Sequence, residues 1–224
     1  MDLDDFLSKI SVYAIPVLLA VTLHEVAQGW TAWRCGDRTP RLLGRLSLNP
    51  LRHVDPAGTL ILPALLLSLR LPFFGWGRAM PPATVALAHP RRASIFIGLA
   101  GLTSNLLMAA LWSAMLAGAM SMRARTGAPD NWLVLMLDNW LILTAEAGIV
   151  TNVFMGFFNL LPLPPLDGGR ILAALLPKRA ALLVSRAEPI GVLVVIGLAG
   201  TRGFGWMFNP AYDAIRLLLN AGGA

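Results

Sequence analysis

Five long apolar runs constrain this chain more than any other feature. They extend from Ile10 to Trp33, Val54 to Leu71, Ala93 to Met120, Trp132 to Phe158 and Ala180 to Gly200. A helix needs roughly 17–25 such residues to cross a bilayer. The shorter tail from Trp206 to Leu219 contains Asp213 and Arg216. It reads as an interfacial amphipathic helix or a partial sixth span. The expected fold is therefore an all-α polytopic membrane protein, a compact bundle of about five to six transmembrane helices. Residues 1–224 read as a single integral-membrane domain, because no segment between the runs is long enough to stand alone.

Composition excludes the other classes. Apolar residues make up 56% of the chain and charged residues 13%, against about 45–50% and about 25% in soluble domains. That is too little charge for a solvated surface and too much hydrophobicity for disorder. Cys35 stands alone, which excludes a disulfide scaffold. The opening Met-Asp-Leu-Asp-Asp lacks the basic region and cleavage pattern of a secretory signal, so the first run is expected to remain as a helix. The net charge of +6 comes largely from arginines, among them Arg34, Arg38, Arg41, Arg45 and Arg52 in one loop. In so apolar a chain, such loops report membrane sidedness and not nucleic-acid binding.

Ionisable side chains inside hydrocarbon cost at least about 2.5–3.5 kcal/mol each, so those present usually have a partner or a task. Thr22-Leu23-His24-Glu25-Val26-Ala27-Gln28 puts His24 and Gln28 at i and i+4 on one helix face, with Glu25 about 100° away. The zinc-protease pattern H-E-x-x-H uses this geometry, with two His ligands and a Glu that activates water. Here Gln28 stands where the second His would be. The plain alternative is a His–Glu hydrogen-bonded pair within a bundle. A second cluster runs from Asn159 to Arg170. Its prolines Pro162, Pro164 and Pro165 cannot continue a helix, and broken backbone at membrane depth belongs inside protein or beside a water-filled cavity. Asp167 then opens a new helix. Taken alone it reads as an N-cap. Together the clusters supply a His, a candidate general base and a distant carboxylate. A catalytic zinc site needs three protein ligands and one open position.

These residues resemble the site-2 proteases, the intramembrane zinc metalloproteases, in their short bacterial form. The resemblance begins at His24-Glu25. It continues through Gly44-Arg45-Leu46-Ser47-Leu48-Asn49-Pro50, His53-Val54-Asp55-Pro56 and Gly58-Thr59. It includes Phe74-Gly75-Trp76, Ala88 to Arg92 and Ala100 to Asn105, where the family more often has Gly-Pro before the Asn. It ends on Asn159 to Gly169, with the Leu-Asp-Gly motif at Leu166-Asp167-Gly168.

The resemblance implies one zinc ion, a membrane-spanning protein substrate cut in or near the bilayer, and residence in the bacterial inner (cytoplasmic) membrane. His24 and Asp167 would be zinc ligands and Glu25 the general base. Asn159 and Asn105 would position substrate or the oxyanion, the alternative for both being interhelical hydrogen bonding. Gln28 is the departure from the family pattern. Three outcomes stay open: a pseudoprotease that binds membrane helices without cleaving them, ligation by the Gln28 oxygen, or replacement by another histidine. The chain has only three histidines. His53 could approach His24 if its loop folds back into the bundle, whereas His89 reads as an interface residue. The alternative for His53 is a loop residue bonded to Asp55 or to backbone. The Pro-rich loop from Pro72 to Pro82 is expected to be extended and to pair with a substrate strand. The small-residue spacings Gly98/Gly101 and Ala114/Gly118 suggest close helix contact. A transporter is disfavoured, since the chain has no paired halves.

Overall fold

The first apolar run folds as one continuous helix, α1 (Leu3–Arg34). At 1.5 Å per residue it is about 48 Å long, more than the roughly 30 Å hydrocarbon core. The computed structural model describes residues 3–61, 64, 65, 68, 77, 78, 89–127, 131–187 and 209–222. After α1 come a single helical turn, α2 (Thr39–Leu42), a 3-10 turn at Pro50–Arg52 and a π-type turn at Pro56–Ile61. Two long helices follow, α3 (Pro90–Thr126) and α4 (Trp132–Asn159). Three shorter ones close the chain: α5 (Asp167–Leu175), α6 (Lys178–Arg186) and α7 (Asn209–Gly222).

Local chemistry accounts for the ends of the long helices. Pro90 occupies the first turn of α3, where a missing N–H costs nothing. Gly127 ends it with a φ of 75°. Asn131 caps α4 by accepting hydrogen bonds from the Leu133 and Val134 amides.

α1, α3 and α4 are each long and apolar enough to cross a membrane. They match the first, third and fourth apolar runs, and the all-α polytopic expectation holds. The fifth run is described only as far as Ala187, where α6 covers its start. The second run beyond Ile61 lies outside the described residues, apart from Ala64, Leu65 and Ser68. So does most of the loop between Leu71 and Pro90, including Phe74, Gly75 and Trp76. Gly77 in that loop forms an antiparallel bridge with Val54.

α4 is the central helix. In its apolar window 72% is buried, against 28% for α1 and 22% for α3. The core joins Ala109, Trp112 and Leu116 of α3 to Ala145, Ile149, Val153 and Phe158 of α4 and Ala211 and Ile215 of α7. α1 packs against both α3 and α4. Its Ala20 and Val21 meet Met155 of α4. The outer faces carry Ile10 and Ile15 of α1, Phe96, Leu107 and Leu111 of α3, and Leu133, Met136 and Leu137 of α4. Apolar faces this extensive suit lipid and not water. One expectation is corrected here. Gly98 and Gly101 do lie in close helix contact, but a Cβ at Gly118 would meet nothing within 4 Å. Small residues permit close approach; a facing helix must also be present.

Candidate metal centre

α1 supplies His24, Glu25 and Gln28, all buried in the bundle. His24 and Gln28 are one turn apart, and the Gln28 Nε2 donates to the His24 Nε2 at 2.9 Å. The third member comes from 139 residues further along the chain. α4 ends at Asn159, whose side-chain amide donates to the Met155 carbonyl at 3.0 Å. The chain then turns tightly, with the Leu163 amide donating to Leu161 O at 2.7 Å and the Leu166 amide to Leu163 O at 2.9 Å. α5 starts directly against this turn. A Cβ at Gly168 would collide with the carbonyl oxygens of Leu160 and Leu161. Glycine at that position is therefore what allows Asp167 to reach the cluster.

Asp167 Oδ2 lies 3.0 Å from His24 Nε2 and accepts from Gln28 Nε2 at 2.6 Å. Its other oxygen faces Arg170 Nη1 at 3.7 Å. On the far side of the imidazole, Asn105 Oδ1 of α3 lies 3.0 Å from His24 Nδ1. A carbonyl oxygen only accepts, so Nδ1 carries the proton. With Nδ1 committed, the Nε2 lone pair and the Asp167 carboxylate point at one another as two acceptors. The Gln28 amide bridges them, donating to both. α3 packs directly on the site here, since a Cβ at Gly101 would stand 2.5 Å from His24 Cε1 and 2.7 Å from Gln28 Nε2.

Imidazole and carboxylate are both ordinary zinc donors, so His24 and Asp167 fit the metal. Among the described residues no third His, Cys, Asp or Glu joins them. The third side chain at this point is Gln28.

Glu25 is buried next to the pair, and its Oε2 has no hydrogen-bond partner. Residue 77 rests on it: a Cβ there would be 3.0 Å from Glu25 Cγ and 3.1 Å from Oε1. The cationic groups that act on Glu25 include Arg170 and Arg45. Arg45 Nη1 donates to Arg52 O at 2.8 Å and to Arg78 O at 3.4 Å. It thus joins the loop after α2 to the backbone next to Gly77.

His53 is fully buried, but it is held by its own loop. Its Nε2 donates to Ser47 O at 2.6 Å, and Nδ1 has no partner. Burial, reinforced by Arg45 and Arg52, holds its pKa below the ordinary histidine value against the opposing effect of the Ser47 bond. Of the expected site residues, the fold thus brings His24, Gln28, Asp167 and Asn105 into one hydrogen-bonded set, with Glu25 beside them. Asn159 lies at the turn that delivers Asp167, and His89 is exposed at the start of α3. Arg170 and Gly101 were not singled out from the sequence as parts of the site. The spacing Asp167-x-x-Arg170 is the signal that could have marked the first; the Gly98/Gly101 spacing signals close helix contact but not contact with the site.

Comparison with known proteins identifies the family. Residues 12–199 match the model for peptidase family M50. "Putative zinc metalloprotease YwhC" of Bacillus subtilis (strain 168) is 33% identical over 224 residues, covering 96% of this chain and 94% of that protein. The similarly named Rip2 of Mycolicibacterium smegmatis (strain ATCC 700084 / mc(2)155) is 30% identical, covering 92% of this chain and 74% of that protein. Rip2 of Mycobacterium tuberculosis (strain ATCC 25618 / H37Rv) is 33% identical, covering 87% and 69%. No solved structure matches the chain at a significant level. A bundle of apolar helices that gathers a His-Glu pair and an Asp-Gly motif, matched along most of its length, belongs to peptidase family M50, the site-2 protease family of zinc-dependent metallopeptidases.

Proposed function

We propose that this protein hydrolyses peptide bonds of membrane-spanning substrates as a single-domain intramembrane zinc metalloprotease of a bacterial inner membrane. The observation that carries the reading is the 3.0 Å approach of His24 Nε2 to Asp167 Oδ2 inside the bundle, with Glu25 buried alongside. His24 and Asp167 would hold the zinc. When bound, the ion supplies Lewis acidity, which lowers the pKa of water toward about 7 and polarises a carbonyl.

The chain's own groups do the rest. Asn105 holds the His24 imidazole in the tautomer that keeps the Nε2 lone pair toward Asp167 and Gln28. Glu25, with Oε2 unpartnered, takes the proton of the attacking water and passes it to the leaving nitrogen. Arg170 and Arg45 offset the negative charge of the two buried carboxylates. The extended backbone at Gly77, next to Glu25, suits a substrate segment unwound from its helix, since a helical peptide bond is shielded by its own turn.

A second reading is a pseudoprotease that binds membrane helices without cutting them. It draws support from Gln28, whose amide nitrogen lies against both metal-facing atoms. One experiment separates the two. Cleavage of a membrane-embedded substrate by reconstituted protein is expected, and Glu25→Gln should abolish it. Cleavage that survives Glu25→Gln excludes the proposed chemistry. Absence of cleavage in the natural protein, with activity appearing in Gln28→His, favours the pseudoprotease.

A further inference from the structure

We infer that Gln28 is a two-faced third ligand: its amide N–H groups close the centre when metal is absent, and its Oε1 completes the centre when metal is bound, so the zinc is exchangeable. The inference rests on the zinc-protease reading and adds how the site gains and loses its ion.

The argument starts from donor arithmetic. An amide nitrogen carries two N–H bonds, and Gln28 Nε2 has two acceptors in reach, Asp167 Oδ2 at 2.6 Å and His24 Nε2 at 2.9 Å. These are the atoms that would bind the ion. Without metal, the amide therefore satisfies both lone pairs and leaves neither buried acceptor unpaired. A buried acceptor without a partner would be costly, so Gln28 stabilises the empty centre. Half a turn about the terminal side-chain bond exchanges Nε2 for Oε1. That bond has a broad, roughly two-fold preference, so the rotation costs little in torsion. The oxygen then faces the same point as His24 Nε2 and Asp167 Oδ2, giving one nitrogen and two oxygen donors.

Both faces act on affinity in the same direction. An amide oxygen lies outside the usual zinc donors, which are thiolate, imidazole and carboxylate, so the loaded state is held less firmly. The empty state is hydrogen-bonded, so it is not driven to refill. His53 does not compete for the role, because its Nε2 is engaged by Ser47 O. Nor does the space allow a larger change, since α3 stands against His24 and Gln28 at Gly101.

The test uses the full-length protein in detergent micelles, natural and with Gln28→His, Gln28→Glu or Gln28→Leu. Zinc would be titrated against a chromophoric chelator. Thermal unfolding would be followed by circular dichroism with and without metal. The natural protein is expected to bind zinc, release it to a strong chelator and keep its helical signal. Gln28→His and Gln28→Glu should bind about 10–100-fold more tightly, at least the scale that outer partners of metal sites command. Metal-free Gln28→Glu should unfold at a lower temperature than the metal-free natural protein, because a second carboxylate then faces Asp167. Gln28→Leu should lose zinc and lose metal-free stability together.

Zinc bound by Gln28→Leu at natural affinity would remove Gln28 from the ligand set. Natural protein that binds as tightly as Gln28→His, or that binds no zinc, would also overturn the inference. The two proposals fail separately. Reversible zinc loading without any Glu25-dependent cleavage removes the protease reading alone. Glu25-dependent cleavage with zinc affinity indifferent to residue 28 removes this inference alone.

Discussion

Asn105 Oδ1 sits 3.0 Å from His24 Nδ1, on the side of the imidazole opposite Asp167. The contact joins α3 to α1 and fixes which ring nitrogen keeps its lone pair. Replacing Asn105 with Leu removes the acceptor while keeping most of the volume. Zinc affinity should fall about 10–100-fold, as for other outer partners of metal-binding histidines. Asn105→Asp keeps an acceptor and should retain more of the affinity. Nitrogen-15 chemical shifts of His24 would report the tautomer directly. An unchanged tautomer and affinity in Asn105→Leu would refute the positioning role.

Gly101 marks the closest approach of α3 to the site. In Gly101→Ala the new methyl would lie 2.5 Å from His24 Cε1 and 2.7 Å from its Nε2. Helix or imidazole must then move. Overpacking of this kind costs about 1–3 kcal/mol, read as a lower unfolding temperature. Zinc binding should fall with it. A control at Gly118, where a Cβ meets nothing within 4 Å, should cost no stability.

Gly168 works through backbone, not side chains. A methyl there would press on the Leu160 and Leu161 carbonyls, which cannot rotate away as a side-chain end can. Gly168→Ala should displace the start of α5 and with it Asp167. Zinc affinity is the measurement, with helical content as the control. Natural affinity in Gly168→Ala would show that the turn tolerates another path to the same carboxylate position.

His53 is expected to act on stability and not on metal. His53→Ala should retain zinc stoichiometry while unfolding at lower temperature, since the bond to Ser47 O is lost. Its folded pKa is below the ordinary value, because burial and the nearby Arg45 and Arg52 disfavour the imidazolium. The unfolded chain therefore binds this proton more tightly. The stabilising effect is fully present above the unfolded pKa of about 6.5 and is lost as pH falls from there through the lower folded pKa. His53→Gln can still donate to Ser47 O but cannot titrate. Stability measured from pH 7 to pH 5 should fall less steeply in His53→Gln than in the natural protein.

Much of this was legible before any coordinates. Helices α1, α3 and α4 follow from apolar runs that nothing but a membrane would solvate. His24 and Gln28 share a face because both sit on one helix, four residues apart. The prolines at 162, 164 and 165 announce the break that precedes Asp167. The partner of each polar group was not legible. Asn105 is 81 residues from His24 and Asp167 is 143 residues from it, and no local pattern encodes such pairings. Gly101 and Gly118 look alike in sequence, yet only one faces another helix.

The sequence by itself determined that this chain lives in a membrane, as a matter of how few charges are available to face water. It also determined which scarce polar side chains are candidates for chemistry. Tertiary structure alone decided how they combine. Packing α3 on α1 commits the His24 Nδ1 proton to Asn105, and the turn before α5 sets Asp167 against the unprotonated Nε2. That packing also turns Gln28 from an unexplained departure in a motif into a donor touching both. Hydrogen-bond partnership depends on distances of about 3 Å, and only the folded bundle sets those.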